Sequence, residues 1–425
     1  MSRFTGIIGI IIILGLAYLW SNNRKAINFR LVITGLLLQI ILAVFILKVP
    51  IGQDIFGWLG KVINKLLDFS QEGGLFVFGD LTKVSQILPP GIVSAGVFLF
   101  ILIPTIIFVC VMVSMAYHVG IMQRIVAVLA RFVHWAMGVS GSEALSNVAS
   151  AFVGQVEAQI MIRPYLKGMT MSELLASMTG SMACIAGGVM AVYISMGVPA
   201  SYLLAASLMA APGALVISKI VFPETKESET KGVVKLEVKK QYANIMDAIS
   251  HGATDGMAIS INVIAMLIGV IALVALADAL LGYFGLFLGW TGASLDFIGL
   301  DVNDLSLKDV FGAFFSLFAI VMGVTPSESF EVGSLMGTKM VINEFVAYSD
   351  LTPMMQQGLL SAKSIVIASF ALCGFANFSS IAIQLGGIGV MVPERKADLA
   401  RLGFKAMICG TMASYISASL AGILL

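Results

Sequence analysis

Two short polar interruptions in an otherwise apolar chain hold the residues that could do chemistry. The first is Phe152-Val153-Gly154-Gln155-Val156-Glu157-Ala158, between the helical, largely apolar segments Ser142–Ala151 and Ile160–Leu166. The second is Val341-Ile342-Asn343-Glu344-Phe345-Val346-Ala347-Tyr348. An ionisable group at membrane depth costs roughly 2.5–3.5 kcal/mol on insertion scales, so it faces protein, water or a ligand rather than lipid. Gln155 offers one acceptor and two donors on a planar amide, which suits the edge of a flat heterocycle, and Glu157 can accept N–H donors from such a ring. Glu344, Asn377 and Ser380 form an acceptor-rich set that suits neighbouring hydroxyls. Phe375 offers an apolar face beside them, and Val189 could line the ring end. No arginine lies at either break, so a neutral ligand with a ring and a polyol fits better than an anion. Each residue also has a structural reading. Glu157 could satisfy freed backbone amides, Glu344 could be tied to Lys339 or Lys363, Asn377 and Ser380 could satisfy an unwound span, and Phe375 could be core.

The elements that must position these groups are membrane spans. The chain has 425 residues, 59% hydrophobic and 12% charged, with mean hydropathy +0.99. Soluble domains carry roughly 25% charged residues, so this is a polytopic all-α membrane protein. A net charge of +1, with basic residues clustered in loops, gives no reason to expect a nucleic-acid partner. Cys110, Cys184, Cys373 and Cys409 lie in apolar stretches without paired spacing and read as buried thiols. His118, His134 and His251 form no i,i+4 pair, and no cofactor is expected. Arg3 followed by Phe4–Trp20 resembles a secretory signal, but no small-residue cleavage site follows, so it reads as a first span.

Runs of about 20 apolar residues can span. They occur at Phe4–Trp20, Leu31–Leu47, Gly91–Ala116, Leu174–Met196, Tyr202–Phe222, Met257–Leu286, Ser364–Val392 and Phe404–Leu425. With these eight, the basic clusters Arg24/Lys25/Arg30, Arg124/Arg131, Glu224–Gln241 and Arg395–Lys405 all fall on the cytoplasmic side, and both termini lie outside. Ile51–Phe69 reads as an interfacial amphipathic helix. Leu307–Val324 is more apolar, and its periodicity does not decide whether it crosses.

Gly141–Lys167 and Ser327–Leu351 are too short or too polar to be plain spans. Each opens on Ser-Glu, places its carboxylate 14 or 16 residues later, and is followed by a span interrupted by small or polar residues, at Ala183–Gly188 and Gly374–Ser380. Corresponding broken segments in two halves of opposite orientation point to a transporter site near the bilayer midplane. Two such hairpins meeting tip to tip would present half-helix N-termini to a ligand. Glu143, Glu173 and Glu328 read as helix-start carboxylates, and Asp278 as a scaffold or subunit contact.

At Gly154-Gln155-x-Glu157-Ala158, Ile185–Val189, Asn343–Tyr348 and Ser369–Ser380 the chain resembles the concentrative nucleoside transporters, in their eight-span bacterial form, nearly end to end. The resemblance implies cation-coupled import of a uridine-like nucleoside across the bacterial cytoplasmic membrane. It also implies a homotrimer, third and sixth spans as scaffold, and an elevator-type movement. By position it assigns Gln155, Val156, Glu157 and Val189 to the nucleobase, and Glu344, Phe375, Asn377 and Ser380 to the ribose. It puts a cation beside Ser150, Val153, Cys184 and Ile185. Val156 stands where a hydroxyl residue is usual, Gln159 where proline is common, Ser150 where sodium-coupled members have Asn, and Cys184 where they have Ser. Sodium is a hard ion and a thiol a poor ligand for it, so the coupling ion is sodium or proton, with the departures favouring protons. The implied segments are 1–90 (first spans and interfacial helix), 91–140 (scaffold span), 141–222 (first hairpin and two spans), 223–256 (connection), 257–300 (scaffold span) and 301–425 (second hairpin and last spans).

A carrier of a modified nucleoside or another ring-and-polyol solute is the nearest rival. A channel would not need two oppositely oriented broken hairpins. A membrane enzyme lacks a metal-ligand cluster or a nucleophile–base pair in the sequence.

Overall fold

The computed structural model describes residues 2–82, 95–230, 242–291 and 305–425, and these form helices joined by turns. In chain order they are α1 (Ser2–Leu19), α2 (Phe29–Leu47), α3 (Pro50–Phe78), α4 (Ala95–Val119), α5 (Ile121–Met137) and α6 (Gly141–Ser150). Then come α7 (Glu157–Ile160), α8 (Met171–Ala183), α9 (Gly187–Ser195), α10 (Ala200–Val221), α11 (Ile245–Trp290) and α12 (Leu307–Met322). The last five are α13 (Ser329–Val341), α14 (Glu344–Gln356), α15 (Ala362–Leu372), α16 (Phe378–Met391) and α17 (Lys396–Leu424). The start of the expected third span, 91–94, most of the connection 231–241, and the expected segment boundaries near 90 and 300 lie outside the described residues.

Among the described residues, six helical segments are long and apolar enough to cross a bilayer, with α8–α9 counted as one. Helix α1 and the broken pair α15–α16 supply the other two expected crossings. The interfacial helix α3 runs nine residues past its expected end, and α12 packs along α13 as a support for the second hairpin.

Burial sorts the spans into two kinds. In α10, 89% of the spanning residues are buried, whereas in Ile271–Trp290 of α11 only 6% are. Helix α17 lies at the centre, against α1, α8, α10, α15 and α16. Gly, Ala, Ser and Thr predominate from Gly410 to Gly422 and let neighbouring backbones approach closely. Outside this core, α11 pairs with α4 through Gly252 and Gly256, where an added Cβ would fall 2.7 and 2.6 Å from the Cα atoms of Val111 and Ile107. Asp278 Oδ1 accepts from the Leu307 N–H at 2.8 Å, which ties this outer span to the start of α12.

The two broken spans meet at their breaks. The Phe375 N–H donates to Cys184 O (3.3 Å) between the two breaks, and the Gly187 N–H donates to Phe152 O (3.1 Å) in the first hairpin. Gly374 has φ +118°, and a Cβ there would stand 2.5 Å from Ala183 O, so only glycine allows this approach. Cys184, Cys373 and Cys409 are buried free thiols, and Cys110 is half-buried.

Candidate functional site

The second hairpin is built from full helices. Helix α13 ends at Val341, the chain turns at Ile342, and the Asn343 side chain caps α14 by accepting from the Val346 N–H (2.9 Å). Asparagine is among the best residues for this position because its carbonyl satisfies a free N–H of the first turn. Capping puts Glu344 at the first position of α14, buried at 5% exposure. Its Oε1 accepts from the Tyr193 hydroxyl and its Oε2 from Asn377 Nδ2, both at 2.9 Å. Asn377 in turn caps α16, its Oδ1 accepting from the Ser380 N–H (2.9 Å) and the Ser379 hydroxyl (2.7 Å). Asn377 therefore serves the unwound span and orients Glu344 with opposite ends of one amide. Lys339, weighed as a tie for Glu344, donates instead to Ala371 O at 2.9 Å. An ionised carboxylate has about four acceptor sites. Tyr193 and Asn377 take two, which leaves capacity for two further donors.

The first hairpin is built differently. Helix α6 starts one residue earlier than Ser142-Glu143 implies, because Ser140 is the cap and Glu143 closes a capping box on its N–H. Glu143 also pairs with the buried Lys219. Ser327-Glu328, by contrast, precedes α13, lying in a short 3-10 turn. The Ile160–Leu166 segment, expected to be helical, forms successive turns with i→i+3 bonds, such as Tyr165 N–H to Ile162 O (2.9 Å). Pro164 sits in its middle, where it has no N–H to give a helix. Only the four residues of α7 are helical.

At the tip, Gln155 is buried, and its Nε2 donates to Ser380 Oγ at 3.4 Å, joining the two halves. Its Oε1 is buried with no protein partner. Val156 lies against Gly387 of α16, where an added Cβ would be 2.6 Å from its methyl. Glu157 is exposed, with its carboxylate folded back over Gly154. Phe375 and Val189 are half-buried at the breaks of α15–α16 and α8–α9.

The four residues expected around a cation flank the Phe152–Gly187 contact. Ser150 Oγ donates to Ser146 O (2.7 Å) and lies 3.0 Å from Ser181 Oγ. Cys184 Sγ donates to Ser207 O (3.6 Å), the Ile185 N–H to Ser207 Oγ (3.4 Å) and the Val153 N–H to Ala149 O (2.9 Å). The side chains offer one engaged hydroxyl and one thiol, and the thiol is a poor ligand for a hard cation, while the carbonyls of Val153 and Ile185 remain as oxygen donors. Tyr193 carried no sequence signal, since it meets Glu344 from 151 residues away.

Family models match almost the whole chain. "Na+ dependent nucleoside transporter N-terminus" covers 8–81, "Nucleoside recognition" 99–200 and "Na+ dependent nucleoside transporter C-terminus" 202–422. A transporter of Haemophilus influenzae is 41% identical over 100% of this chain and 98% of its own length. The nucleoside permease NupC of Helicobacter pylori is 35% identical over 99% of this chain and 98% of its own. The solved structure of CNTnw in an inward-facing substrate-bound state superposes with a TM-score of 0.90 at 38% identity, covering 100% of this chain and 98% of that one. Variants of CNTnw in outward-facing and intermediate states match with TM-scores of 0.90 and 0.91. With its hairpins, its paired breaks and matches along nearly its full length, the chain belongs to the concentrative nucleoside transporter family.

Proposed function

We propose that this protein imports nucleosides, uridine among them, across the bacterial cytoplasmic membrane by cation-coupled symport. The ribose is read by Glu344, Asn377, Ser380 and Phe375, and the base by Gln155, Val156, Glu157 and Val189. One observation carries this reading: Glu344 is buried and oriented from both halves of the molecule, by Tyr193 and Asn377, with acceptor capacity to spare. Two vicinal hydroxyls match that capacity. The unpartnered Gln155 Oε1 is the acceptor that a ring N–H would meet. Both termini lie outside, and α4 and α11 act as the scaffold of a homotrimer against which the other helices move as an elevator. The outward apolar face of α11 is consistent with burial against lipid or a second copy.

The coupling ion we propose is the proton. Support comes from the poor fit of Ser150 and Cys184 to sodium. The deciding experiment is uptake of a panel of labelled natural and modified nucleosides into proteoliposomes, with sodium and proton gradients imposed separately. Nucleoside accumulation under an inward proton gradient without sodium is the expected result. Accumulation driven only by sodium overturns the proton assignment, and no uptake of any nucleoside overturns the function.

A further inference from the structure

Helix α7 has only four residues, yet it carries Glu157 and directly follows Gln155 and Val156. A single helical turn has little stability of its own, because nucleation fixes several residues for one hydrogen bond. Something outside the turn must hold it. Gln159 is fully buried on its inner side, and both ends of its amide are bonded. Nε2 donates to Ser181 Oγ (2.7 Å) and Ser177 O (3.4 Å), while Oε1 accepts from the Ser177 hydroxyl (2.7 Å).

The surrounding bonds set the direction of the network. Ser150 spends its one proton on Ser146 O, so Ser181 donates to Ser150, and the Gln159 amide donates to Ser181. The chain therefore runs from the tip of the first hairpin, through α8, to the end of α6. Neighbouring carbonyls of α8 receive other amides, Asn147 Nδ2 on Ala176 O and Gln384 Nε2 on Met178 O, each at 3.2 Å. The carbonyl oxygens of those two side chains have no partner, so among these three amides only Gln159 is bonded at both ends.

We infer that Gln159 is a positioning residue: its amide, locked to Ser177 and Ser181, fixes the one-turn helix that presents the base-facing tip of the first hairpin. This rests on the reading of that tip as the base site. The fixing of the turn can be tested without substrate. Two variants separate hydrogen bonding from packing: Gln159→Ala, and Gln159→Met, which keeps the volume but not the bonds. Hydrogen–deuterium exchange of residues 154–160 in the substrate-free protein should quicken about tenfold in both, the order expected when a buried hydrogen bond is lost. In proteoliposomes, KM for nucleosides should rise about tenfold with Vmax within about twofold. The penalty for removing the ribose 3′-hydroxyl should stay unchanged, because Glu344 is untouched. Adding Ser181→Ala to either variant should cost little more, since the partner is already released.

Wild-type exchange in Gln159→Met would overturn the inference, as would an additive double variant. A fall in thermal stability and Vmax at constant KM would assign Gln159 a merely structural role and also overturn it. If wild-type vesicles take up no nucleoside, the functional reading fails, while the exchange measurement still decides whether Gln159 holds the turn.

Discussion

The two hairpins arrive at the same place by different physics. The second uses two 13-residue helices and an asparagine cap that sets Glu344 on the first turn, where Tyr193 and Asn377 orient its carboxylate. The first has a ten-residue helix, one helical turn and a run of turns around Pro164, and side chains reaching α8 hold its tip. Its feet are anchored as well, by Glu143 with Lys219 at one end and by Arg395 on the carbonyls of Lys167 and Met169 (3.0 and 2.8 Å) at the other. The carboxylates follow suit, with Glu344 buried between two donors and Glu157 exposed. A buried, doubly bonded carboxylate is pre-organised for its ligand, whereas an exposed one on a single turn must be ordered when the ligand arrives. Ribose recognition should therefore be the rigid, costly half of the site, and base recognition the adaptable half.

Glu344→Gln is the strongest test of that contrast. The amide can keep its oxygen toward Asn377 Nδ2 and turn its NH2 to the Tyr193 hydroxyl, which can accept, so the fold should survive. The charge-assisted bonds to ribose are lost at roughly 1.5–3 kcal/mol each. Uridine affinity, measured by calorimetry on purified protein, should fall about 100-fold, and the fall should be smaller for 2′- or 3′-deoxy nucleosides. Normal binding with poor heat tolerance would make Glu344 a structural group. Next in size is Tyr193→Phe, which removes one of the two donors that orient Glu344. Affinity should drop about tenfold, equally for purine and pyrimidine nucleosides; a change in base ranking would mean that the halves are not separate.

On the adaptable side, Gln155→Ala should weaken binding only several-fold. In competition assays, however, it should reorder purine against pyrimidine nucleosides. Uniform loss across bases would reduce Gln155 to its link with Ser380. Val156→Thr is the mildest change, near twofold in affinity, since threonine has the same shape and can keep the contact with Gly387. A shift in base preference with unchanged melting temperature is expected. An unchanged ranking would remove this position from the base site.

Apolar runs, basic loop residues and the two polar breaks were sufficient for the span count, the hairpins and the membrane class, because insertion free energy is summed locally along the chain. Asn343 and Asn377 stood at their breaks for equally local reasons, as caps. The helix expected at Ile160–Leu166 gave way to turns where Pro164 interrupts it, a local signal that apolar character alone passes over. What was not local is the set of polar partners. The partners of Glu344 and Gln159 lie in other elements: Tyr193 comes from α9, and Ser177 and Ser181 from α8. Hydropathy and spacing report what each segment can bury, but which polar atoms meet depends on distances between residues far apart in the chain, and only the packed helices set those.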